Sequence, residues 1–397
     1  MRICHVVYSF YPFDPRVRKE VEALSGLGYE VDVIAVQDAG EAKEEVVRGV
    51  RVHRVPMGIV RGGRLRYAYQ YALFFVLSSA LLARLHLRHR FRVVHVHSLP
   101  DFQVFCAVPE KALGARVVLD LHEAMPEILA ARLRVPLSSP LSRFALTLER
   151  LSCSFADRVV LVTDQRFRLL SRRGLDPRKG VVVMNSPDRD PLALPPTEPL
   201  RAKLGLDGRW VLVQAGGVNE ERDLETLIRA AGVLNASHPS TVILFGRGDA
   251  GYRERLRMIA SAEAPSLDFR LEDWVPPEDV LRYVGLSDVG VVTYERNPLT
   301  ELAAPHKVFE FVAARRPLVL ADLEGLRSVW DDAAVYYTPG DPVDLAAKIR
   351  RVIEEPGLPE QLVAAAKTVY ERCAWPHSRD ALVRMYADLA GGPEASA

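Results

Sequence analysis

The sequence predicts an α/β protein of two doubly wound domains, each a parallel sheet flanked by helices. Three observations carry this. Apolar, β-rich runs alternate with amphipathic stretches along the whole chain, the pattern of successive βα units. The alternation restarts after "NSPDRDPLALPPTEPL", Asn185–Leu200, a proline-rich stretch that suits a stiff linker. And 397 residues are enough for two separate cores.

In the first half the strands read as Arg2–Tyr8, Glu30–Val36, Gly49–Val55, Val93–His97, Ala115–Asp120, Arg158–Val162 and Val181–Met184. In the second they read as Trp210–Ala215, Thr241–Phe245, Leu267–Leu271, Asp288–Thr293, Pro317–Ala321 and Val335–Tyr337. The expected division is residues 1–186, a linker over 187–200, and residues 201–375. A last helix, 376–397, returns to the first domain; Pro376 marks the end of the helix before it. Two such domains imply a cleft between their strand ends, where ligands collect.

Charge separates the halves. Residues 1–190 carry 29 Lys and Arg against 20 Asp and Glu, while the remainder carries 23 against 31. A basic first half suits a phosphate or an anionic membrane surface; two differently solvated surfaces would look the same. Four scattered cysteines, without metal or redox spacing, read as reduced thiols of a cytoplasmic protein. "MRICHVVY" reads as a strand and not as a secretory signal. Tyr67–Ala83 has no charge over seventeen residues, the lower limit for crossing a bilayer. It lies between two strand-like segments, so it reads as a core-packed helix with an interfacial face, followed by the basic run "RLHLRHRFR".

The chemistry concentrates at strand ends. "ELAAPHKVFEF", Glu301–Phe311, joins a strand to a helix that Pro305 should open. The N–H groups of such a helix face a phosphate. Lys307 and Glu310 share a face: the lysine suits a diphosphate and the carboxylate a ribose diol. The alternative is a solvated surface pair worth little. Gly216 and Gly217 close the first strand of the second half and let a ligand approach the backbone. Arg222 follows them; it grips phosphate or is an ordinary helix-start charge. His122 and Glu123 sit at the ligand end of "RVVLDL". Asp14 and Pro15 make a clean helix start, placing Arg16 and Arg18 near an anionic acceptor or on a plain helix surface. His95 and His97 alternate along a buried strand and read as core histidines. "DRD", Asp188–Asp190, sits in the linker and not at a strand end, which argues against a metal site.

"PHKVFEFVAARRPLVLADLEGLRSVW" resembles the nucleotide-sugar signature of retaining GT-B glycosyltransferases, family 4. "YSFYPFDPRVRKEVEALSGLGYEVDVI", "VVLDLHEAMPE", "QAGGVNEERDLETLIRAAGVL" and "ILFGRGD" resemble the same family in the same order, over almost the whole chain. The resemblance implies the GT-B fold: two Rossmann-like doubly wound domains facing a central cleft, with the nucleotide diphosphate sugar bound by the second. It implies a metal-independent transfer needing no cofactor beyond that donor. It places Gly216, Gly217, Arg222, Gly246, Arg247, Glu301, His306, Lys307 and Glu310 around the donor. It gives His122, Arg222 and Lys307 catalytic roles and sets Arg16, Arg18, His122 and Glu123 on the acceptor side. The chain departs from the pattern twice. The family's first Glu falls on Leu302, one residue from Glu301, and no Lys follows Arg222 closely, so a second charge must come from Arg247, Lys307 or a helix terminus.

The reading is therefore a glycosyltransferase acting on a glycan, lipid-linked or small-molecule acceptor. It is cytoplasmic, with weak peripheral association at an anionic membrane and no nucleic-acid partner. Two rivals stand beside it: a nucleotide-sugar epimerase of the same fold, and a non-catalytic partner subunit that binds donor without turnover.

Overall fold

The computed structural model describes residues 1–60, 63–187, 197–273 and 275–391. The chain divides into two compact units, Met1–Asn185 with Pro376–Ala397, and Ser186–Trp375. Asp188–Asp190 lies outside the described residues.

The first unit is an eight-stranded sheet. Its strands are β1 (Arg2–Val6), β2 (Glu30–Val36), β3 (Glu44–Val47), β4 (Val50–Val55), β5 (Val93–His97), β6 (Arg116–Leu121), β7 (Arg158–Leu161) and β8 (Gly180–Val182). The order is β3-β4-β2-β1-β5-β6-β7-β8, and every pairing is parallel except β3 with β4. Near-continuous apolar runs form these strands because both faces are covered. The chain moves outward from β1 to β4, then crosses back to β5 on the other side of β1. Where the order reverses, the carboxyl ends of β1 and β5 leave a crevice. Strand β3 was not expected. It pairs through a two-residue turn, Arg48–Gly49, with φ of 50° and 81°, the mirror-image geometry that hairpins favour.

The first helix, Pro15–Gly26, starts as expected: the Asp14 carboxylate accepts from the N–H groups of Arg16 and Val17 at 3.1 and 3.2 Å. The uncharged segment belongs to a 26-residue helix, Arg64–His89. It is the one described helix long and apolar enough to cross a membrane. Both of its flanking strands, β4 and β5, belong to the same sheet. Core packing covers only one stripe of it. Gln70, Phe74, Ser78, Leu82 and Leu85 are buried, and the two polar members are satisfied inside: Gln70 exchanges hydrogen bonds with the Val60 backbone and Ser78 accepts from Gln103. The apolar side chains Leu65, Tyr69, Val76 and Leu87 are 89, 66, 60 and 67% exposed. The helix thus carries apolar side chains on its outer face as well as in the core, unlike an ordinary surface helix.

The last helix, Trp375–Ala390, lies against β1 and β5 of the first unit. Tyr386 hydrogen-bonds His95 Nδ1 at 2.7 Å, Ser378 accepts from the Met184 N–H, and Leu382 is fully buried.

The second unit has two three-stranded parallel sheets. One runs β11 (Asp268–Glu272), β10 (Ser240–Phe245), β9 (Trp210–Ala215); the other runs β12 (Gly290–Val292), β13 (Leu318–Ala321), β14 (Val335–Tyr337). They meet at β9 and the lead-in to β12. Asp288 donates its N–H to Val211 O and accepts from the Val211 N–H, and Ser287 Oγ accepts from the Val213 N–H. The crevice of this unit therefore lies at the carboxyl ends of β9 and β12. All four cysteines are buried and none forms a disulfide.

Leu382→Ala should destabilise the protein by about 2–5 kcal/mol, the usual cost of a core cavity. Chemical denaturation checks this; a change under about 0.5 kcal/mol, typical of a surface site, would mean that the last helix is not part of the core.

Candidate functional site

In the second unit, two loops end neighbouring strands. Gly216–Asn219 follows β9 and Gly246–Asp249 follows β10. They run backbone against backbone: the Val218 N–H donates to Arg247 O at 2.9 Å, and Val218 bridges Gly248. Gly246 has φ of 141°, and a Cβ there would fall 1.9 Å from Gly216 O. Its glycine is thus dictated by loop packing. At Gly217 the nearest atom to an added Cβ is 3.6 Å away, so packing does not demand glycine there.

Arg222 folds back beneath Gly216, its Nη2 and Nη1 3.8 and 3.9 Å from the position of that glycine's missing Cβ. Its backbone carbonyl accepts from Thr293 Oγ1 at 2.6 Å, tying the turn to the end of β12. Nη1 is buried and has no hydrogen-bond partner. Lys307 is buried beside it, and its Nζ has no partner either. Burial first, then the charge of Arg222, pushes the Lys307 ammonium well below the ordinary lysine range, with Glu310 opposing. Two adjacent cations with unsatisfied buried nitrogens are costly unless an anion joins them. Of the sources anticipated for the second charge, Lys307 stands beside Arg222, whereas Arg247 is exposed.

Two expectations need correction, and one alternative falls away. The helix behind Pro305 spans Lys307–Ala313, with His306 as its N-cap and Pro305 ahead of it. Its first N–H groups are not free: Val308 N donates to Pro305 O and Phe309 N to His306 O. Lys307 and Glu310 are not a solvated surface pair, because Lys307 is buried; Glu310 stands 3.6 Å from His306 Nδ1. Glu301 bonds Arg296 at 2.6 Å and caps the helix Glu324–Trp330 by accepting from the Glu324 N–H at 2.9 Å. Its carboxylate is already engaged in holding that loop.

In the first unit the corresponding residues gather on Asp120, at the end of β6. Strand alternation puts positions 120 and 122 on one side. His122 Nε2 lies 3.1 Å from Asp120 Oδ2 and 3.0 Å from His97 Nδ1, and its N–H donates to Ser98 Oγ. Arg16 donates to both Asp120 oxygens at 2.9 Å. Burial alone would raise the Asp120 carboxyl; the Arg16 guanidinium, with His122 and His97, holds it well below the usual range. An ionised Asp120 accepts a hydrogen bond from His122 Nε2–H, which leaves Nδ1 able to accept from a hydroxyl. Arg16 also donates to Val183 O and Asn185 Oδ1. It is thus neither a surface charge nor free for an anionic acceptor. Arg18 is half-buried on the same helix and Glu123 is exposed. Asp120 itself was missed; its place two residues before His122 at a strand end was the available signal.

Comparison with known proteins fits this geometry. The model described as Glycosyl transferase 4-like domain matches residues 14–186, and the one described as Glycosyl transferases group 1 matches residues 196–369. A D-inositol 3-phosphate glycosyltransferase of Thermomonospora curvata is 26% identical over 94% of this chain and 90% of its own length. A teichuronic acid biosynthesis glycosyltransferase, TuaH of Bacillus subtilis, is 27% identical over 38% of this chain and 37% of its own. Among solved structures, sucrose-phosphate synthase from Thermosynechococcus elongatus has a TM-score of 0.77 at 16% identity, covering 98% of this chain and 99% of that one. HepE from Anabaena, in complex with UDP-glucose, has a TM-score of 0.72 at 15% identity, covering 98% and 100%. The fold is therefore GT-B, two Rossmann-like units in one polypeptide. The chain belongs to the glycosyltransferases of the family 4 type and is a nucleotide-sugar glycosyltransferase.

Gly217→Ala should leave the melting temperature within about 2 °C, below the shift of roughly 2–4 °C per kcal/mol for a domain of this size, yet weaken donor binding. Gly246→Ala should destabilise strongly, since a Cβ meets backbone. Thermal melts with and without UDP-, GDP- and dTDP-sugars check both. Equal loss of stability in the two variants would remove the ligand reading of Gly217.

Proposed function

We propose that the chain transfers a sugar from a nucleotide diphosphate donor to an acceptor hydroxyl with retention of configuration. No metal and no further cofactor take part. The observation that carries this is the pairing of half-buried Arg222 with buried Lys307, each with a buried nitrogen that has no partner. Each has a nitrogen with no partner in the fold, and a diphosphate supplies what both need. As the bond to the sugar breaks, negative charge accumulates on that diphosphate. Two fixed cations in a dry setting stabilise it more than they stabilise the ground state. They do so without a metal. Glu310, one turn along from His306, receives the ribose diol. In the first unit His122, held by ionised Asp120, presents Nδ1 to a hydroxyl of the transferred sugar or the acceptor. The acceptor approaches on the face from which the diphosphate departs. A non-catalytic partner subunit would bind donor in the same way, and turnover separates the two.

Lys307→Met tests the assignment. Removing an unpaired buried cation should stabilise the ligand-free protein by about 0.5–2 kcal/mol, while turnover falls about 100- to 1,000-fold, as when one transition-state donor is lost. Denaturation and steady-state kinetics on the same preparation check this. A less stable variant with normal turnover would show Lys307 to be structural.

For the acceptor we favour a lipid-linked or cell-envelope glycan met at the inner face of the membrane. The support is the helix Arg64–His89, whose apolar side chains face outward with Arg66, Arg84 and Arg88 exposed beside them. The sequence from Arg51 to Pro100 contains no acidic residue. Each basic residue near an anionic surface adds about 1 kcal/mol, so binding is weak, reversible and salt-sensitive. Co-sedimentation with acidic vesicles should succeed at low salt and fade toward about 0.5 M, where screening is nearly complete. Val76→Glu should abolish it without unfolding the protein. No sedimentation at low salt would favour a small-molecule acceptor.

A further inference from the structure

Behind His122, and apart from the donor residues, the first unit buries an unusual cluster. His5 on β1, His95 and His97 on β5, and Glu20 on the helix Pro15–Gly26 are all fully buried. Register places His5 directly beside His95, and His97 follows on the same face of its strand. The ring centroids stand 4.7 Å apart for His5 and His95, 4.5 Å for His95 and His97, and 5.2 Å for His5 and His97. Each of the four residues offers one ligand atom, and those atoms lie within 4.8 Å of one another.

Two features of the cluster are unexplained by packing. Neither carboxylate oxygen of Glu20 accepts a hydrogen bond, although Arg16 Nη2 stands 3.3 Å away. His95 Nε2 also has no partner. A carboxylate buried in this way needs a proton or a cation. A proton on Glu20 would serve one oxygen. Because His95 Nε2 and the Glu20 oxygens are near each other but not hydrogen-bonded, an ion between them serves both.

We propose that His5, His95, His97 and Glu20 form a closed four-ligand site for a zinc-class divalent transition metal. Three imidazoles and one carboxylate are a zinc donor set, and four protein ligands leave no open position, which marks a structural site. With Zn–N near 2.0–2.1 Å and tetrahedral angles, imidazole centroids on one ion stand about 5 Å apart, close to the spacings seen here; the near-parallel rings of His95 and His97, 11° apart, must rotate to aim both nitrogens at the ion. The outer contacts that such ligands require are also present. His95 Nδ1 is bonded to Tyr386 OH at 2.7 Å, and His97 Nδ1 faces Asp120 Oδ2 at 3.3 Å. If His5 binds through Nδ1, its Nε2 remains 3.4 Å from the same Tyr386 hydroxyl. The 2.9 Å contact between His5 Nδ1 and His97 Nε2 then opens by a few tenths of an ångström, to the edge of a tetrahedron. Burial first, then the charge of Asp120, pushes the Glu20 carboxyl well above the usual range, with Arg16 opposing; a divalent ion would take the place of that proton. All four ligands belong to the first unit, so the ion would serve the fold of that unit and not the donor diphosphate.

The test uses the full chain without a polyhistidine tag, grown with zinc and freed of loose metal by gel filtration. Elemental analysis should find about one zinc per chain, as a closed site predicts. Cobalt loading in place of zinc should give the intense visible bands of a tetrahedral site. Glu20→Gln and His95→Gln should each abolish the stoichiometric metal. Tyr386→Phe, which keeps the ring and removes the outer contact, should weaken zinc affinity about tenfold or more. Wild-type protein that takes up neither zinc nor cobalt would overturn the proposal, and so would folded variants that keep their full metal. Should the ligand variants fail to fold, the wild-type stoichiometry, the cobalt spectrum and Tyr386→Phe still decide.

Discussion

The functional edge of the first unit hangs on one buried carboxylate. Asp120 receives two hydrogen bonds from Arg16 and stands within 3.3 Å of both His97 and His122. Arg16 in turn reaches the Val183 carbonyl and Asn185, beyond β8. One ion pair thus joins the first helix, β5, β6 and the exit from the unit. Such a pair gains little over an apolar core of the same shape, but breaking it leaves a naked charge, at about 3–5 kcal/mol. What it supplies is geometry. With Asp120 ionised, the proton of His122 is fixed on the inner nitrogen, and the outer one faces solvent as an acceptor.

The second unit is built on the opposite condition. Arg222 and Lys307 sit side by side with nitrogens left unpaired, and the strands and turns around them hold the two together. Thr293 pins the Arg222 turn to the end of β12, and the helix that carries Lys307 is packed through Val308, Phe309 and Phe311. The cost of this repulsion shows in Lys307, whose ammonium burial and Arg222 push well below the ordinary lysine range. In the first unit like strain is avoided by pairing. A site awaiting an anion leaves its charges open, while a site that orients a neutral imidazole closes them.

Most of the fold was legible from hydrophobic period and turn residues. Strand positions agree within two residues for nearly every element, because parallel strands buried on both faces read as unbroken apolar runs. The hairpin strand β3 was missed because its charged "EEVV" lies at a sheet edge, where burial leaves no periodicity. The Pro305 helix was set two residues early, since proline before an N-cap and proline in a first turn look alike in sequence. The family signature pointed to Arg222, Lys307, Glu310 and His122, but not to what surrounds them. Arg16 looked like a helix-surface charge because its partner, Asp120, is 104 residues away. His95 and His97 were read correctly as core residues, yet nothing local showed that His5, Glu20 and Tyr386 converge on them. Polar clusters assembled from distant segments leave no pattern in any one window of sequence.

The last helix has a consequence for how the molecule is made. The first unit owns both the beginning of the chain and residues from Pro376 onward, so the second unit is an insertion within it. On the ribosome the second unit is complete as soon as Trp375 emerges. The first unit must still wait for Tyr386, with β1 and β5 lacking its cover until then. Order of synthesis and order of folding are therefore reversed: the domain translated first is the one finished last.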